Sequence, residues 1–402
     1  MQVNKDGTKI DELLRRGVEE IIDAKDLRAR LLSGEKLRIK LGIDPTSPNI
    51  HLGRSIPLLK LRDFQELGHQ VVFIVGDFTG IVGDTSDKDS ERPMLEAETI
   101  KNNLKNYKSQ VGKIIDLKKA EFHSNSSWLK KLGYADVGTH AEIFSINQFI
   151  SRDNIAKRLK EGKRVSLREV LYPLMQGYDS VAIKADVELG GTDQKFNLLA
   201  GRDMQKYFGQ TPQNIITGPL IEGLDGRKMS SSWGNTVNFL DEPNDMYGKI
   251  MSLKDDFVIK YFELLTRVPM ADIESYKKRL AGGENPKNIK TILAKTIVAM
   301  YHNEKLADSA SEAWEATFSQ GEIPKDTKTI KVKIKAPIVD LLIKEGIVKS
   351  RGEFRRLVEE GAIRFKGSLE ERKIVDPNSL ADENGALRIG KKRFLKIEII
   401  KK

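Results

Sequence analysis

Residues 37–54 read LRIKLGIDPTSPNIHLGR and contain the first part of a strand–loop–helix pattern. Its first seven residues, 37–43, predict a strand. A loop with two prolines follows, then a helix over about 52–67 and a second strand, VVFIVGD, at 71–77. Strand, helix and strand in this order predict a parallel βαβ unit.

Later segments extend this sheet and add helices. The sequence predicts a helix over 169–183, a strand, glycine turn and helix over 186–199, a strand over 215–221 and helices over 241–320. The mostly helical pattern of 91–170 indicates an insertion between two halves of the sheet. The lysine-rich segment IPKDTKTIKVKIKAP is interpreted as a linker to a last module.

Composition limits the class of protein. A chain of 402 residues with 39% hydrophobic and 31% charged residues indicates a globular protein of two or three domains. The absence of cysteine excludes disulfides, cysteine-ligated zinc and thiol chemistry, and it fits a reducing cytoplasm. No apolar signal core opens the chain, and its apolar runs are too short to span a bilayer. We therefore expect a soluble, cytoplasmic protein without membrane association.

Positive charge is concentrated at the end of the chain. Residues 321–402 hold 21 Lys and Arg against 13 Asp and Glu, which is +8 of the total net charge of +10. Apolar periodicity through Phe354, Leu357 and Val358 predicts that this segment folds. It is either a solubilising segment or a module that binds a polyanion such as nucleic acid.

Four short patterns are candidates for chemistry, and each has a purely structural alternative. His51, Gly53 and Arg54 begin a helix, where free N–H groups bind anions, although a histidine there is often only a cap. The offsets of Tyr172, Gln176 and Asp179 put them on one helical face, which is either a polar pocket or a solvated surface.

The other two patterns are glycine-containing loops. The double glycine before Asp193 would let a ligand approach the backbone, and Asp193 could then accept a hydrogen bond from a ribose hydroxyl. Alternatively, the segment is only a tight turn in which Asp193 caps the following helix. The loop GRKMSSSWGN, 226–235, either binds phosphate through Lys228 and its serine hydroxyls or is an ordinary Gly- and Ser-rich loop without a ligand.

Taken in order, these motifs resemble the class I aminoacyl-tRNA synthetases. HLGR stands at the HIGH-type motif, and KMSSS stands at the second signature loop. KLGIDPTSPNIHLGR, GHQVVFIVGDFTGIVGDTS, LYPLMQGYDSVAIKADVELGGTDQKFNLL and DGRKMSSS are similar to bacterial-type tyrosyl-tRNA synthetases. SRGEFRRLVEEGAIRFKG is similar to a small RNA-binding fold shared with a ribosomal small-subunit protein.

The resemblance implies an α/β fold with several domains. A Rossmann-like parallel-sheet catalytic domain would span 1–240, with the helical insertion of about 91–170 as a dimer interface. An α-helical anticodon-recognition domain would span 241–322, followed by a linker over 323–335 and a basic α+β RNA-binding domain over 336–402.

The implied activity is that of a tyrosine–tRNA ligase. Tyrosine and ATP would give tyrosyl-adenylate and pyrophosphate, and tyrosine would then pass to the 3'-terminal adenosine of tRNA(Tyr). Magnesium would accompany ATP without a protein-bound metal, and the chain would form a homodimer. The alternatives are a tryptophanyl-tRNA synthetase and a non-catalytic RNA-binding paralogue.

The resemblance also assigns roles to individual residues. The implied catalytic residues are His51, Arg54, Lys228, Ser231 and Ser232. The implied ATP-binding residues are Gly53, Gly191, Asp193, Lys228 and Ser231. The implied tyrosine-binding residues are Lys40, Asp44, Asp84, Tyr172, Gln176, Asp179 and Gln194. The implied tRNA-binding residues are Arg351, Arg355, Arg356, Arg364 and Lys366.

Three positions depart from the usual family pattern. Arg54 replaces the second histidine of the first motif, and Ser231 replaces the second lysine of the loop. Lys40 stands where one branch of the family has a tyrosine that reads the substrate phenol, whereas another branch has lysine. The third departure puts more of the phenol recognition on Asp179.

Overall fold

The computed structural model describes residues 2–84, 94–319, 327–367, 371–390 and 393–400. The chain divides into two compact units, Met1–Glu304 and Lys305–Lys402. The division falls within the region 241–322, which the sequence resemblance assigned to one helical domain.

The strands of the described residues are β1 (Glu20–Ile22), β2 (Arg38–Ile43), β3 (Gln70–Val75), β4 (Ala120–Ser124), β5 (Val187–Gly191), β6 (Asn214–Gly218), β7 (Thr329–Lys333), β8 (Ala336–Pro337), β9 (Ile363–Lys366), β10 (Glu371–Lys373), β11 (Leu380–Ala381), β12 (Gly385–Ile389) and β13 (Arg393–Ile400).

The α-helices of the same residues are α1 (Gly7–Arg15), α2 (Ala24–Ser33), α3 (Ser55–Glu66), α4 (Thr79–Val82), α5 (Ala97–Leu104), α6 (Tyr107–Val111), α7 (Ser126–Leu129), α8 (Tyr134–Glu142), α9 (Ile146–Ile150), α10 (Asp153–Lys160), α11 (Leu167–Ile183), α12 (Lys195–Tyr207), α13 (Pro243–Met251), α14 (Val258–Leu265), α15 (Met270–Ala281), α16 (Pro286–Tyr301), α17 (Glu304–Ser319), α18 (Ile338–Lys344) and α19 (Arg351–Glu359).

The first unit is built on a six-stranded sheet in the order β1-β6-β5-β2-β3-β4. All neighbouring strands in it are parallel except β1, which runs antiparallel to β6. Strand β3 is almost entirely buried and β2 largely so, and α3 packs against both. The predicted βαβ unit and the parallel sheet are therefore confirmed.

Two strands of this sheet are absent from the sequence prediction. Strand β4 lies inside the region interpreted as a helical insertion, and it pairs in parallel with β3. Its residues, AEFHS, are half-buried or exposed, and with only two apolar residues they give a weak strand signal. Strand β1 has only three residues, which is too short for a pattern. Both lie at sheet edges, where burial is incomplete.

Helix α11 carries much of the candidate site, and its start is well specified. Ser166 caps it by accepting from the N–H of Arg168, and the Glu169 carboxylate accepts from the N–H of Ser166 at 3.0 Å. This reciprocal pair is a capping box, which fixes where the helix begins. Helix α11 packs along α12, which follows β5.

The second unit contains a five-stranded sheet in the order β10-β9-β12-β13-β7, and α18 and α19 add apolar residues to its core. This is the small α+β fold that the sequence predicted. Part of the predicted linker 323–335 is nevertheless strand, because β7 pairs in parallel with β13. Its alternating pattern buries Val332, which is 6% exposed, between outward-facing lysines. Residues 323–326 lie outside the described residues.

Candidate active site

A cleft of about 530 Å³ opens at the carboxyl ends of the parallel strands β2, β5 and β6. Ligands of open parallel sheets bind at this edge. The residues predicted from the sequence for catalysis, ATP and tyrosine all line the cleft: Lys40, Asp44, His51, Gly53, Arg54, Asp84, Tyr172, Gln176, Asp179, Gly191, Asp193, Gln194, Lys228, Ser231 and Ser232.

The HLGR segment forms a short 3₁₀ turn, Leu52–Arg54, that leads into α3. His51 is 8% exposed, and its Nδ1 has no hydrogen-bond partner among the described residues. Burial, with the charges of Arg54 and Lys228, lowers the pKa of His51 to about 3, so the imidazole is neutral. A buried polar atom without a protein partner is an acceptor or donor available to a ligand.

Gly53 keeps the floor of this turn open. A Cβ at position 53 would lie 3.0 Å from Nδ1 of His51, so a side chain there would displace the imidazole. The Gly53 N–H is 3.2 Å from Sδ of Met229, a buried residue of the serine-rich loop. The two motifs therefore touch each other directly.

The serine-rich loop is held by Asn235. Its Oδ1 accepts from the Ser230 N–H at 2.9 Å, and its Nδ2 donates to Oδ1 of Asp225 at 2.7 Å and to the Lys228 carbonyl at 3.0 Å. Ser231 and Ser232 begin a 3₁₀ turn that ends at Trp233. These contacts fix the backbone around Lys228.

Lys228 reaches across the cleft to the glycine turn after β5. Its Nζ is 2.8 Å from Oδ2 of Asp193. A Cβ at Gly191 would lie 2.5 Å from Oδ1 of Asp193, so glycine is required for this carboxylate position. The cation predicted for phosphate and the carboxylate predicted for ribose are thus neighbours.

A chain of hydrogen bonds lines the other end of the cleft. The Tyr172 hydroxyl donates to Oδ2 of Asp44 at 2.8 Å, and the Thr79 hydroxyl donates to Oδ1 of Asp44 at 2.7 Å. Nδ2 of Asn125 donates both to Oγ1 of Thr79 at 2.9 Å and to Oδ2 of Asp179 at 3.2 Å. The two carboxylates are therefore connected through two neutral side chains.

Burial changes the acidity of both carboxylates. Asp179 is 4% exposed, and its burial raises its pKa to about 7, although Lys40, Trp128 and Asn125 stabilise the charged form. Burial also raises the pKa of Asp44 to about 6, against the hydrogen bonds from Thr79 and Tyr172. Two buried acids that titrate near neutrality in a cleft are typical of a functional site.

Sequence reasoning missed several residues of this network. Trp128 donates from Nε1 to Oδ1 of Asp179 at 2.7 Å, and with Asn125 it follows the unpredicted strand β4. Thr79 and Gly76 follow β3, and a Cβ at Gly76 would clash with Oδ1 of Asp44. The motif GDFTG after a strand is a usable signal for Gly76 and Thr79, whereas no local pattern marks Asn125 or Trp128.

The remaining predicted tyrosine-site residues are tied to protein partners. Gln194 donates from Nε2 to Oδ2 of Asp84 at 2.7 Å, and its Oε1 accepts from Nδ2 of Asn197 at 3.1 Å. Lys40 is completely buried and forms an ion pair with Glu188 at 2.8 Å. Lys40 therefore lines the cleft with its ammonium already engaged.

The residues predicted to bind tRNA lie on the second unit, and each is exposed. Helix α19 carries Arg351, Arg355 and Arg356, and β9 carries Arg364 and Lys366. Some are in ion pairs, such as Arg351 with Asp340 at 2.7 Å and Arg364 with Glu371 at 3.1 Å. Exposed pairs contribute at most about 1 kcal/mol each, so a polyanion can displace them.

Among the described residues, no group of three or more His, Cys, Asp or Glu side chains could hold a metal ion. None of their helices is long and apolar enough to cross a membrane.

Comparison with known proteins identifies the family of this chain and agrees with its fold. The family model of class I tRNA synthetases (W and Y) matches residues 32–319, and the chain belongs to this family. A structure of tyrosyl-tRNA synthetase from Archaeoglobus fulgidus with L-tyrosine has a TM-score of 0.61 and 23% identity. It covers 76% of this chain and 100% of its own, and this similarity concerns the fold alone.

Full-length relatives define the family more narrowly. The tyrosine–tRNA ligase of Thermotoga maritima is 44% identical over 390 residues, which are 96% of this chain and 96% of that protein. The tyrosine–tRNA ligase of Shewanella oneidensis is 45% identical over 96% of this chain and 98% of its own. Within the class I synthetases the chain is thus a member of the tyrosine–tRNA ligase family, an ATP-using enzyme family, as the sequence motifs predicted.

Proposed function

We propose that the cleft activates tyrosine with ATP and that the enzyme then charges tRNA(Tyr). The observation that carries this proposal is the single cavity that joins the His51 turn, the Lys228 loop and the buried carboxylate of Asp179. The first two are suited to a triphosphate and the third to a phenol.

In the first step, a carboxylate oxygen of tyrosine attacks the α-phosphorus of ATP and pyrophosphate leaves. In the second step, a ribose hydroxyl of the terminal adenosine attacks the tyrosyl carbonyl carbon and AMP leaves. Neither step needs a protein nucleophile, so catalysis consists of positioning and of stabilising phosphoryl charge. Lys228, Arg54 and the neutral His51 provide the donors, and Ser231 and Ser232 add hydroxyls.

The amino acid lies at the far end of the cleft in this proposal. Asp179 accepts from its phenol, while Asp84, Tyr172 and Gln176 surround its ammonium, with Asp44 behind them. Gln194 lies between the amino acid and the ribose. Gly53 and Gly191 let adenine and ribose approach the backbone, and Asp193 accepts from the ribose hydroxyls.

Magnesium enters with ATP as part of that substrate. Nucleotide-bound Mg²⁺ keeps phosphate oxygens and waters as most of its ligands, so the proposal requires no protein-bound metal.

The proposal for RNA assigns two regions. Residues 241–322 recognise the anticodon region, and the basic module 336–402 binds the tRNA backbone through Arg351, Arg355, Arg356, Arg364 and Lys366. The exposed positions of these five side chains support phosphate contacts. The catalytic assignment to residues 1–240 rests on the cleft, whose lining residues all precede residue 240.

We further propose a cytoplasmic homodimer that associates through residues 91–170. This region exposes large apolar side chains, among them Tyr134 (98%), Ile146 (59%) and Leu167 (66%). Large apolar side chains that are this exposed would be stabilised by burial against a second copy. Sedimentation equilibrium of Ile146→Glu tests this: a shift to monomer is expected, and an unchanged dimer mass would contradict the proposed interface.

The test of the reaction is exchange of labelled pyrophosphate into ATP in the presence of tyrosine, tryptophan or phenylalanine. Exchange with tyrosine alone is expected. Exchange driven by tryptophan would identify the tryptophan branch of the family, and no exchange with any amino acid would identify a non-catalytic RNA-binding protein.

A further inference from the structure

Lys40 and Glu188 form a buried ion pair beneath the cleft. They lie directly opposite each other in the neighbouring parallel strands β2 and β5. Their side chains are 0% and 1% exposed, and Nζ of Lys40 is 2.8 Å from Oε1 of Glu188. A buried ion pair is rarely a net source of stability compared with apolar side chains of the same size. Its presence beside the cleft therefore calls for another reason.

The hydrogen bonds of Lys40 leave none for a substrate. Its Nζ lies 2.8 Å from Glu188, 2.7 Å from Oγ of Ser180 and 2.9 Å from the carbonyl oxygen of Gln176. An ammonium group has three protons, and these three acceptors account for all of them. Lys40 is thus bound to helix α11 rather than directed at a phenol.

The carboxylate of Glu188 orients the side-chain amide of Gln176. Nε2 of Gln176 donates to Oε1 of Glu188 at 3.2 Å, while Oε1 of Gln176 accepts from Nδ2 of Asn197 at 3.1 Å. An ionised carboxylate only accepts, so the amide must turn its NH₂ group toward Glu188. The carbonyl oxygen of the amide then faces the other way and keeps a second lone pair for a ligand.

Glu188 is itself held in place by its neighbours. Its Oε2 accepts from Oγ of Ser180 at 3.0 Å and from Nε2 of Gln213. Together with Lys40 and Gln176 these donors occupy the four acceptor positions of the carboxylate and restrict its rotation. The positive charge of Lys40 also lowers the pKa of Asp179 and so counteracts part of the increase caused by burial. Asp179 lies on α11, about one turn after Gln176.

We propose that Lys40 and Glu188 are a positioning pair, which fixes the Gln176 amide so that its carbonyl oxygen meets the ammonium of the bound amino acid. Neither residue touches the substrate. This inference rests on the proposed function, because the ammonium ligand role of Gln176 belongs to it. It also assigns Lys40 a role different from the direct contact that the sequence resemblance implied.

The deciding measurement compares tyrosine with its analogue lacking the ammonium, 3-(4-hydroxyphenyl)propionate, by equilibrium dialysis and competition. In Lys40→Met/Glu188→Gln, the new amide offers one acceptor oxygen, for which Gln176, Ser180 and Gln213 compete. We expect tyrosine affinity to fall about tenfold more than analogue affinity, the effect of losing one oriented hydrogen bond, because any change at Asp179 affects the phenol of both ligands alike. Equal weakening of both ligands would overturn the proposal.

A double-mutant cycle shows whether the pair acts through Gln176. In the Gln176→Ala background, the change at positions 40 and 188 should leave the ratio of tyrosine to analogue affinity unaltered, since no amide remains to orient. Additive losses would contradict the proposal. If the double variant fails to fold, the single variant Glu188→Gln can be used for the same comparison of tyrosine with its analogue.

A matched control is Lys60→Met. Lys60 is also buried, and its Nζ donates to the Leu13 and Arg16 carbonyls outside the cleft. This variant should be less thermally stable, but its ratio of tyrosine to analogue affinity should equal that of the wild type. If the ratio changed, it would reflect stability instead of ammonium recognition, and the interpretation would be overturned. If the wild-type protein showed no tyrosine-dependent pyrophosphate exchange, the proposed function would be refuted. If the wild type were active but Lys40→Met/Glu188→Gln kept the wild-type ratio of tyrosine to analogue affinity, only the positioning role of Lys40 and Glu188 would be refuted.

Discussion

At the scale of single residues, Asp179 is the group that we propose recognises the substrate phenol. It is buried, it accepts from Asn125 and Trp128, and it lines the cleft from α11. A carboxylate has about four lone-pair positions, so these two donors leave capacity for a third.

Asp179→Ala should narrow the preference for tyrosine over phenylalanine. A site that bonds a substrate hydroxyl rejects the analogue lacking it by about 10⁴–10⁵, because its polar groups stay unpaired. We expect the ratio of kcat/KM values in pyrophosphate exchange to fall by about 10²-fold or more. Asp63→Ala, which removes a carboxylate paired with Arg267 away from the cleft, is the control. A preserved ratio in Asp179→Ala would move hydroxyl recognition elsewhere.

The pKa of Asp179, about 7, predicts a pH dependence of tyrosine use. The ionised carboxylate is the better acceptor, so kcat/KM for tyrosine should rise as pH increases through about 7. Burial is the main cause of this pKa, with Lys40, Trp128 and Asn125 opposing it and Glu188 adding to it. Asp179→Asn should flatten the profile between pH 6 and 8; an unchanged profile would assign the titration to another group.

Stability should change in the opposite direction over the same range. The folded-state pKa of Asp179 lies above the ordinary carboxyl value of 3.8, so the folded protein binds the additional proton. The contribution of Asp179 to stability is therefore present below about pH 4 and is lost as pH rises through about 7.

Lys228→Ala should slow adenylate formation without weakening tyrosine binding. Loss of a preorganised charge stabiliser costs about 2–4 kcal/mol of barrier, which slows the reaction about 30-fold to 10³-fold. Single-turnover formation of tyrosyl-adenylate measures this, and equilibrium dialysis measures tyrosine affinity. Lys260→Ala is the control, since Lys260 forms an ion pair of 2.9 Å with Glu222 and does not line the cleft. An unchanged single-turnover rate would contradict the role of Lys228.

At the scale of elements, the turn after β3 couples the sheet to the end of the cleft that contains Asp44 and Tyr172. Gly76 directly follows this strand, and the Asp44 carboxylate after β2 occupies the space that a Cβ at position 76 would need. The Thr79 hydroxyl, at the start of α4, closes the turn by donating to the same carboxylate.

Gly76→Ala should therefore both destabilise the fold and weaken tyrosine binding. Overpacking of this kind costs about 1–3 kcal/mol, and the shift of Asp44 would break its bonds to Thr79 and Tyr172. Thermal unfolding and KM for tyrosine measure the two effects. Gly138→Ala on α8 is the matched control, because its Cβ would meet nothing within 4 Å. A Gly76→Ala protein with wild-type stability and KM would show that the turn adapts.

At the scale of the whole molecule, chemistry and positive charge lie in different units. The cleft belongs to residues of the first unit, whereas residues 321–402 carry +8 of the +10 net charge. The basic side chains of α19 and β9 surround an independent apolar core that includes Phe354 and Phe365.

Arg355→Gln/Arg356→Gln should weaken tRNA binding while leaving tyrosyl-adenylate formation unchanged. Each phosphate contact contributes a salt slope of about −0.7 to −0.9, so two lost contacts should make the slope shallower by about 1.5. Filter binding at several salt concentrations measures it. Lys331→Gln/Lys333→Gln removes two exposed charges from β7 of the same unit and is the matched control. Equal losses in both variants would show only a general charge effect.

From the sequence alone, the parallel sheet, its main strands along the chain and the residues that line the cleft at their carboxyl ends could be predicted. Apolar runs, glycine turns and helix periodicity are local patterns that can be read directly from the sequence. The order in which HLGR and KMSSS occur among them indicates the family. The family and its small basic α+β module follow from the same patterns. The edge strands β1 and β4 were missed because half-buried edges carry little apolar signal.

Only the tertiary structure decided which partner each buried polar group has. Trp128 meets Asp179 across 51 positions of sequence, and Lys40 meets the Gln176 carbonyl across 136. Such bonds depend on how strands and helices pack, which no local pattern specifies. For that reason the sequence identified Lys40 and Asp179 as site residues, but the engagement of Lys40 by Glu188 and the pKa of Asp179 follow from burial in the folded chain.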